Sequence, residues 1–373
     1  MKTHRARSVL LFASMFLLLA MALAATVSAD GPTMRVVASG LDNPRGLALA
    51  QNGRLFVAEA GRGGAGPCVD TPEGRVCFGM SGALTEVDLA RNTQRRVITG
   101  LPSLADPDGS NAIGPVGVSL LNPSDVAVIV GYGGPPDQRV PAFGPLGGGL
   151  GQLMHGAVGR GFRPAGDVSG YEGKANPDGG EVDSDPYAVL RLFGKSIVAD
   201  AGGNDLLQVQ DGQVTTLAVF PDRMVDAPPF LGLPPGAQIP MQAVPTSVVQ
   251  GPDGAYYVGQ LTGFPFPKGG ANVYRVPAEG GAPTVYASGF TNIISIAFGA
   301  DGSLYVLEIA KNGLTSNDPT GALIKVAKDG TRTEIASAGL MSPGGLALGM
   351  DGSFYVSNHG TTPGGGTVVH IMP

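Results

Sequence analysis

Histidine, cysteine and basic residues are scarce in this 373-residue chain, and each scarcity removes a class of function. Beyond the first thirty residues only His155, His359 and His370 occur, too few and too scattered for a zinc motif. The two cysteines, Cys68 and Cys77, have eight residues between them, which excludes a thioredoxin-like CxxC. A two-ligand metal site there would lack nearby histidine. Lys and Arg number 24 against 30 Asp and Glu, and no basic stripe exists to neutralise phosphates, so a nucleic-acid partner is excluded. There is no GxSxG elbow and no Walker sequence. Gly61-Arg62-Gly63-Gly64-Ala65-Gly66 fits GxGxxG, but Pro67-Cys68 follows where a helix must begin. Neither a nucleotide nor a flavin is expected.

What is present begins with a leader. Lys2, Arg5 and Arg7 precede an apolar run from Val9 to Ala25, and Val27-Ser28-Ala29 supplies small residues before Asp30. This is the pattern of a secretory signal peptide over residues 1–29, cut near Ala29; the run is short for a membrane span of about 20 residues. Its removal leaves 21 Lys and Arg against 30 Asp and Glu, a net charge of −9. No later run is long and apolar enough to cross a bilayer, so the mature chain is expected outside the cytoplasm without a transmembrane segment. In that compartment Cys68 and Cys77, within GPCVDTPEGRVCFG, are expected to close a small loop as a disulfide.

Glycine (60) and proline (31) are too frequent for long helices, while 43% hydrophobic content suffices for a core, which points to an all-β, loop-rich chain. The repeats agree. ASAGLMSPGGLALGMDGSFYVSN (Ala336 to Asn358), ASGFTNIISIAFGADGSLYVLE (Ala287 to Glu308) and ASGLDNPRGLALAQNGRLFVAE (Ala38 to Glu59) are copies of one unit. In each, two apolar runs flank Asn52-Gly53, Asp301-Gly302 or Asp351-Gly352, read as two-residue hairpin turns. Two further strands, as in Gly82 to Leu101, complete a four-stranded unit, the content of a propeller blade. Six such hairpins occur. The second, Asn111 to Gly133, is degenerate and is followed by a Gly/Pro-rich insertion, Gly134 to Gly151, read as a surface loop with a job or a disordered one. The sixth has only one outer strand, GTVVHIMP, so MRVVAS near Met34 is expected to complete it. The expected fold is an all-β, six-bladed β-propeller of four-stranded antiparallel blades over residues 30–373, one domain, closed by the N-terminal strand in the last blade.

The segment NPDGGEVDSDPYAVLRLFGKSIVADAGGNDLLQV (Asn176 to Val209), the GPC…C loop and the hairpin repeats together resemble the ScyD/ScyE family of secreted bacterial proteins, over essentially all of the mature chain. The resemblance implies a six-bladed propeller related to the NHL, TolB-like and SMP-30/strictosidine synthase-like groups. It implies no catalytic set.

Aligning the copies puts Glu59, Asp200, Gln260, Glu308 and Asn358 at one position, the end of the second strand, with Gly131 in blade two. Asn43, Asn111, Asp185, Thr246, Asn292 and Ser342 fall before the inner strands. Both sets are expected around the channel mouth. Crowded carboxylates repel, and a hard cation such as Ca²⁺, which takes about 6 to 8 oxygens, relieves that. Glu59, Asp200, Glu308 and Asn43 are the expected ligands, with Asp185 and Asn204 further out. The competing reading has these polar residues bonding loop amides, with Arg45 pairing a carboxylate. His359 is either a rim base or a solvated histidine. The acidic run Asp178, Glu181, Asp183, Asp185 lacks EF-hand spacing and reads as a solvated cap or a weak Ca²⁺ loop.

The expected function is a ligand-binding or scaffold module, a monomer that takes a small molecule or an extracellular protein or cell-wall partner. Its site comprises Asn43, Arg45, Glu59, Asp185, Asp200, Asn204, Gln260, Glu308, Asn358 and His359. The alternative is a divalent-metal-assisted hydrolase or lactonase at the same mouth. A quinone-dependent sugar dehydrogenase lacks an evident histidine base.

Overall fold

Short strands that are apolar on alternate residues bury both faces only by stacking sheet on sheet, and the chain does so six times. The computed structural model describes residues 31–373 apart from Glu73 and Pro123; the expected leader, residues 1–29, lies outside the described residues. Blade one comprises Pro44–Leu49, Arg54–Glu59, Gly74–Asp88 and Thr93–Ala105. Blade two comprises Pro115–Asn122, Asp125–Val130, Gln152–Ala157 and Gly161–Asp167. Blade three comprises Pro186–Leu192, Lys195–Asp200, Asp205–Gln210 and Gln213–Val219. Blade four comprises Pro245–Gln250, Tyr256–Gln260, Ala271–Val276 and Thr284–Phe290, and blade five comprises Ile293–Phe298, Leu304–Glu308, Ala322–Val326 and Arg332–Ala336. Each inner strand packs against the inner strands of the blades on either side, and the sixth returns to the first.

Blade six has only Gly345–Leu348, Phe354–Asn358 and Gly366–Met372 from its own repeat, and Thr33–Leu41 pairs antiparallel with Gly366–Met372 as its fourth strand. Val36 lies opposite Val369. The closure expected from the missing strand is therefore present, and it leaves no open sheet edge between the first and last repeats.

The cores lie between blades. In the second strand of blade one, Leu55 and Val57 pack with Val368 and Ala347 of blade six, while Phe56 and Ala58 pack with Val126 and Val128 of blade two. This is the two-residue alternation of a strand buried on both faces.

Two details differ from the sequence reading. The Asn-Gly and Asp-Gly turns are three-residue loops rather than two-residue ones. The Gly53 amide bonds to Ala50 O, the Ala50 amide bonds to Arg54 O, and glycine alone takes positive φ (75°) while Asn52 does not. That is a type I turn followed by a glycine bulge. Asn52 Oδ1 instead accepts the Arg54 amide (3.2 Å), as Asp301 Oδ1 accepts that of Ser303 (2.9 Å). The insertion between the second and third strands of blade two is folded. It forms the short helix Arg139–Phe143 between two 3-10 turns, held by buried Arg139, which donates to Leu150 O (2.8 Å) and pairs with Asp167 (2.7 Å). The Pro-rich excursion after blade three forms the hairpin Arg223–Asp226 with Gln238–Met241. Among the described residues no helix is long and apolar enough to cross a membrane.

Candidate functional site

Strand ends decide the chemistry of this face. All five residues aligned at the end of the second strand are buried, but they turn toward their own loops. Glu59 Oε2 accepts the Asp42 amide (2.7 Å), Glu308 Oε1 the Thr291 amide (2.7 Å) and Asn358 Oδ1 the Met341 amide (2.6 Å). Asp200 accepts the Asp185 amide (2.7 Å) and the Ser184 hydroxyl (2.6 Å). Carboxylate or amide, the side chain satisfies a backbone donor at the entrance to the inner strand, which would otherwise be buried without a partner. Gln260 departs from the pattern: its Oε1 accepts the Asn272 amide (3.1 Å) and Arg223 (3.2 Å), and so anchors the inserted hairpin.

In blade two the register puts Val130 at this position, opposite Pro115 as Glu59 is opposite Pro44, so the aligned Gly131 falls one residue beyond it. A Cβ there would lie 2.8 Å from Asp185 Oδ1, because the Asp185 carboxylate occupies that space and accepts the Tyr132 amide (3.0 Å). One blade thus borrows its latch from the next.

The residues before the inner strands tie blade to blade. Asn43, at φ 49°, donates to Gly61 O (2.7 Å) and Gly109 O (2.9 Å). Asn292, at φ 48°, donates to Leu261 O in blade four (2.9 Å). Asn204 Oδ1 accepts the Val244 amide (3.0 Å). Three aligned members are misplaced in the sequence reading. The carbonyl that accepts the amide after the second strand belongs to Gly114 in blade two, Val244 in blade four and Met341 in blade six, not to Asn111, Thr246 and Ser342. Asn111 is exposed on the loop above, and Thr246 lies inside Pro245–Gln250.

Arg45 forms no ion pair with the strand-end carboxylates. Its guanidinium donates to Ala112 O (2.8 Å) and lowers the Asp185 and Tyr187 side chains by its charge, though burial outweighs it at both. Glu59 is neutralised by Arg96, on the outermost strand of blade one, at 2.7 Å. His359 is partly exposed beside Asn358, at φ 55°. Cys68 and Cys77 are joined as a disulfide across the hairpin Cys68–Thr71. The expected ligands Glu59, Asp200, Glu308 and Asn43 thus belong to three blades, each engaged locally. Among the described residues no group of three or more His, Cys, Asp or Glu is placed to hold a metal ion as it stands.

The channel, about 300 Å³, is walled by the six inner strands and carries Tyr187, the hydroxyls of Ser119, Thr246, Ser247 and Ser295, and aliphatic residues, with no charged side chain among the described ones. Polar chemistry gathers at its mouth, in a cavity of about 470 Å³ between blades one and four. Asp106, Asn111, Tyr132, Asp183, Asp185 and Gln242 line it, and Thr71 and Val76 of the disulfide hairpin border it. No Lys or Arg does. Burial, then repulsion from Asp200, pushes the Asp183 carboxyl up to about 6. Burial pushes Asp185 to about 6 as well, against the Tyr132 amide and Arg45.

Behind this cavity lies a cluster that sequence reasoning missed. Glu172, on the helix Val168–Ala175, and Asp205, opposite Asp200 at the start of the third strand of blade three, are both buried, and the Glu172 and Asp200 carboxylates both approach Gly203. Burial first, then neighbouring carboxylates, raises Glu172 to about 7 and Asp205 well above its ordinary range. Asp205 stands in an ordinary strand start, and Glu172 in an eight-residue helix with no repeat partner; no spacing pattern marks either.

No protein-family model matches the chain, and no curated protein matches it. Among solved structures, a virginiamycin B lyase from Staphylococcus aureus, catalytically inactive and crystallised with quinupristin, aligns over 92% of this chain and 99% of its own at 12% identity (TM-score 0.47). A glucose-dehydrogenase-type oxidoreductase from Thermus thermophilus aligns over 92% and 100% at 16% identity (TM-score 0.48). A protein described as a gluconolactonase aligns over 92% of each chain at 11% identity, with a TM-score of 0.50. At 11% identity the last of these likenesses is one of fold alone.

Proposed function

We propose that this chain is a secreted, ligand-binding propeller of the ScyD/ScyE type, and that its ligand is a neutral or cationic small molecule held at the channel mouth. The observation that carries this reading is the cavity of about 470 Å³ whose polar lining is carboxylate, amide and hydroxyl, with no basic side chain among the described residues. Such a wall repels anions and offers hydrogen-bond acceptors to hydroxyl or ammonium groups. Its size lies within the range of about 300–1,000 Å³ common to small-molecule sites. The leader pattern and the sequence resemblance support the location and the family.

The test is a thermal-shift screen of the mature chain at pH 7.5 with sugars, lactones, polyamines and quaternary amines, followed by titration calorimetry. At least one neutral or cationic compound is expected to raise the melting temperature. Asp183→Asn and Asp185→Asn, which keep an acceptor oxygen but remove charge, should each weaken a cationic hit about tenfold or more, the worth of about 1.4 kcal/mol. Hits confined to anions, or binding indifferent to both substitutions, would sink the proposal. Lactone turnover abolished by the same substitutions would replace it with the hydrolase reading.

A further inference from the structure

Buried carboxylates need a counter-charge or a proton, and the two sides of this propeller solve that need differently. In blade one and its entry loop, Asp42, Glu59 and Glu86 are all buried, and each meets arginine: Arg62 and Arg96 at Asp42, Arg96 at Glu59, Arg54 and Arg95 at Glu86. In blade three, Glu172, Asp200 and Asp205 are at most 1% exposed, and no described Lys or Arg pairs with any of them. Asp200 is at least bonded, by amides and by Ser184. Asp205 is not: both of its carboxylate oxygens are buried without any hydrogen-bond partner, and so is Glu172 Oε1.

These groups face one another. A Cβ built on Gly203 would lie 3.0 Å from Glu172 Oε2 and 3.6 Å from Asp200 Cγ, so both carboxylates converge on one side of that glycine. Asp205 lies directly opposite Asp200 on the neighbouring strand, and burial, then the charges of Asp200, Glu172 and Asp178, raises it. Asp178 is tied to the same turn through Asn204 Nδ2 (3.1 Å). An isolated buried carboxylate without a bond costs several kcal/mol, and here two stand together.

We propose that Glu172 and Asp205, with Asp200 and Asp178 adding charge, form a divalent-cation site in blade three, and that Ca²⁺ is the ion that fits it. Every available donor is a hard oxygen, which suits Ca²⁺ and excludes softer metals. Asp205 offers two oxygens and Glu172 one, and water and loop carbonyls complete the six to eight that Ca²⁺ takes. The side chains do not yet surround one point, so coordination draws the Glu172 and Asp205 carboxylates together. The site shares Asp200 with the cation lip expected across blades one, three and five but takes its ligands from Glu172 and Asp205, and it does not require the ligand proposed at the mouth.

The test uses the full mature chain, stripped with a chelator and desalted. Calorimetric titration with CaCl₂ at pH 7.5 should give one ion per chain and a higher melting temperature, with Mg²⁺ at least tenfold weaker. Asp205→Asn and Glu172→Gln should each weaken Ca²⁺ tenfold or more. In chelator, Asp205→Asn should melt above the wild type, because it removes a buried charge that nothing pairs. Asp301→Asn, on an exposed turn of blade five, should leave Ca²⁺ binding unchanged. The proposal fails if the wild type neither binds Ca²⁺ nor gains stability from it, or if both blade-three substitutions leave binding intact. A wild type equally stable with and without Ca²⁺ from pH 5 to 8 would mean that protons, not a metal, keep these carboxyls neutral.

Discussion

Replacing Arg96 with alanine is expected to lower the unfolding free energy by about 3 kcal/mol, the low end of what stranding a buried charge costs. Arg96 reaches from the outermost strand of blade one to Glu59, with Nε at 3.0 Å from Oε1 and Nη2 at 2.7 Å from Oε2, and to Asp42 Oδ2 at 2.9 Å. The forked contact is the strong geometry for arginine. Its guanidinium is 40% exposed, yet Glu59 is fully buried and Asp42 is 4% exposed. The cost therefore falls on the carboxylates left behind. Arg62 still holds Asp42 in the variant, so the estimate stays at the low end. Asp42 Oδ1 also accepts the Gly364 amide of blade six (2.8 Å), so the loss weakens the contact where the ring closes. Arg96→Lys keeps the charge but not the fork and should recover less than half of the loss. Adding Glu59→Gln to Arg96→Ala should recover part of it, because the orphaned charge is gone. Urea unfolding followed by tyrosine fluorescence reads all four proteins. A cost below about 1 kcal/mol would place the pair with ordinary surface salt bridges and refute the argument.

Glu308→Gln is expected to stabilise the protein at pH 8 by on the order of 2–3 kcal/mol and to change little near pH 4.5. Burial, against the bond from the Thr291 amide, raises the Glu308 carboxyl from 4.5 to about 7. The folded state therefore holds this proton more tightly than the unfolded chain does. Its contribution to stability is complete below pH 4.5 and is lost as the pH climbs through 7. At about 1.4 kcal/mol for each pH unit between those limits, the folded protein forfeits roughly 3 kcal/mol. Glutamine keeps the Oε1 acceptor and has no charge to bury. Asn358 already performs the same task in blade six with an amide. The urea midpoints of wild type and variant at pH 5 and pH 8 decide it, and other carboxyls cancel in the difference. Equal gaps at the two values would show that Glu308 carries no buried charge worth removing.

Much of this architecture could be read from the chain, for definite reasons. RLFVAE and its copies alternate apolar residues on a period of two, and the sixth repeat is visibly one strand short. Pattern and bookkeeping together therefore specify both the blades and their closure. The turns are harder, since Asn-Gly serves two-residue and three-residue loops alike and only the neighbouring amides choose between them. The equivalence of Glu59, Asp200, Gln260, Glu308 and Asn358 was legible, but their direction was not. Whether a strand-end carboxylate looks into the channel or back to its own loop depends on which amide lies unsatisfied nearby, and sequence spacing does not encode that. Arg96 stands 37 residues from Glu59 on another strand, and Glu172 sits in a helix outside the repeat. Partners of that kind become visible only once the chain is folded.

Closing the ring through Thr33–Leu41 has a consequence for biogenesis. The bonds that lock the first blade to the last join residues 312 and 322 apart, from Ser357 to Arg45 and from Gly364 to Asp42. During synthesis blades one to five can form in turn, but Thr33–Leu41 must wait, edge exposed, until Gly366–Met372 has left the ribosome. For that interval the nascent chain carries an unpaired strand whose natural neighbour does not yet exist, and any chaperone that attends it has this segment to shield.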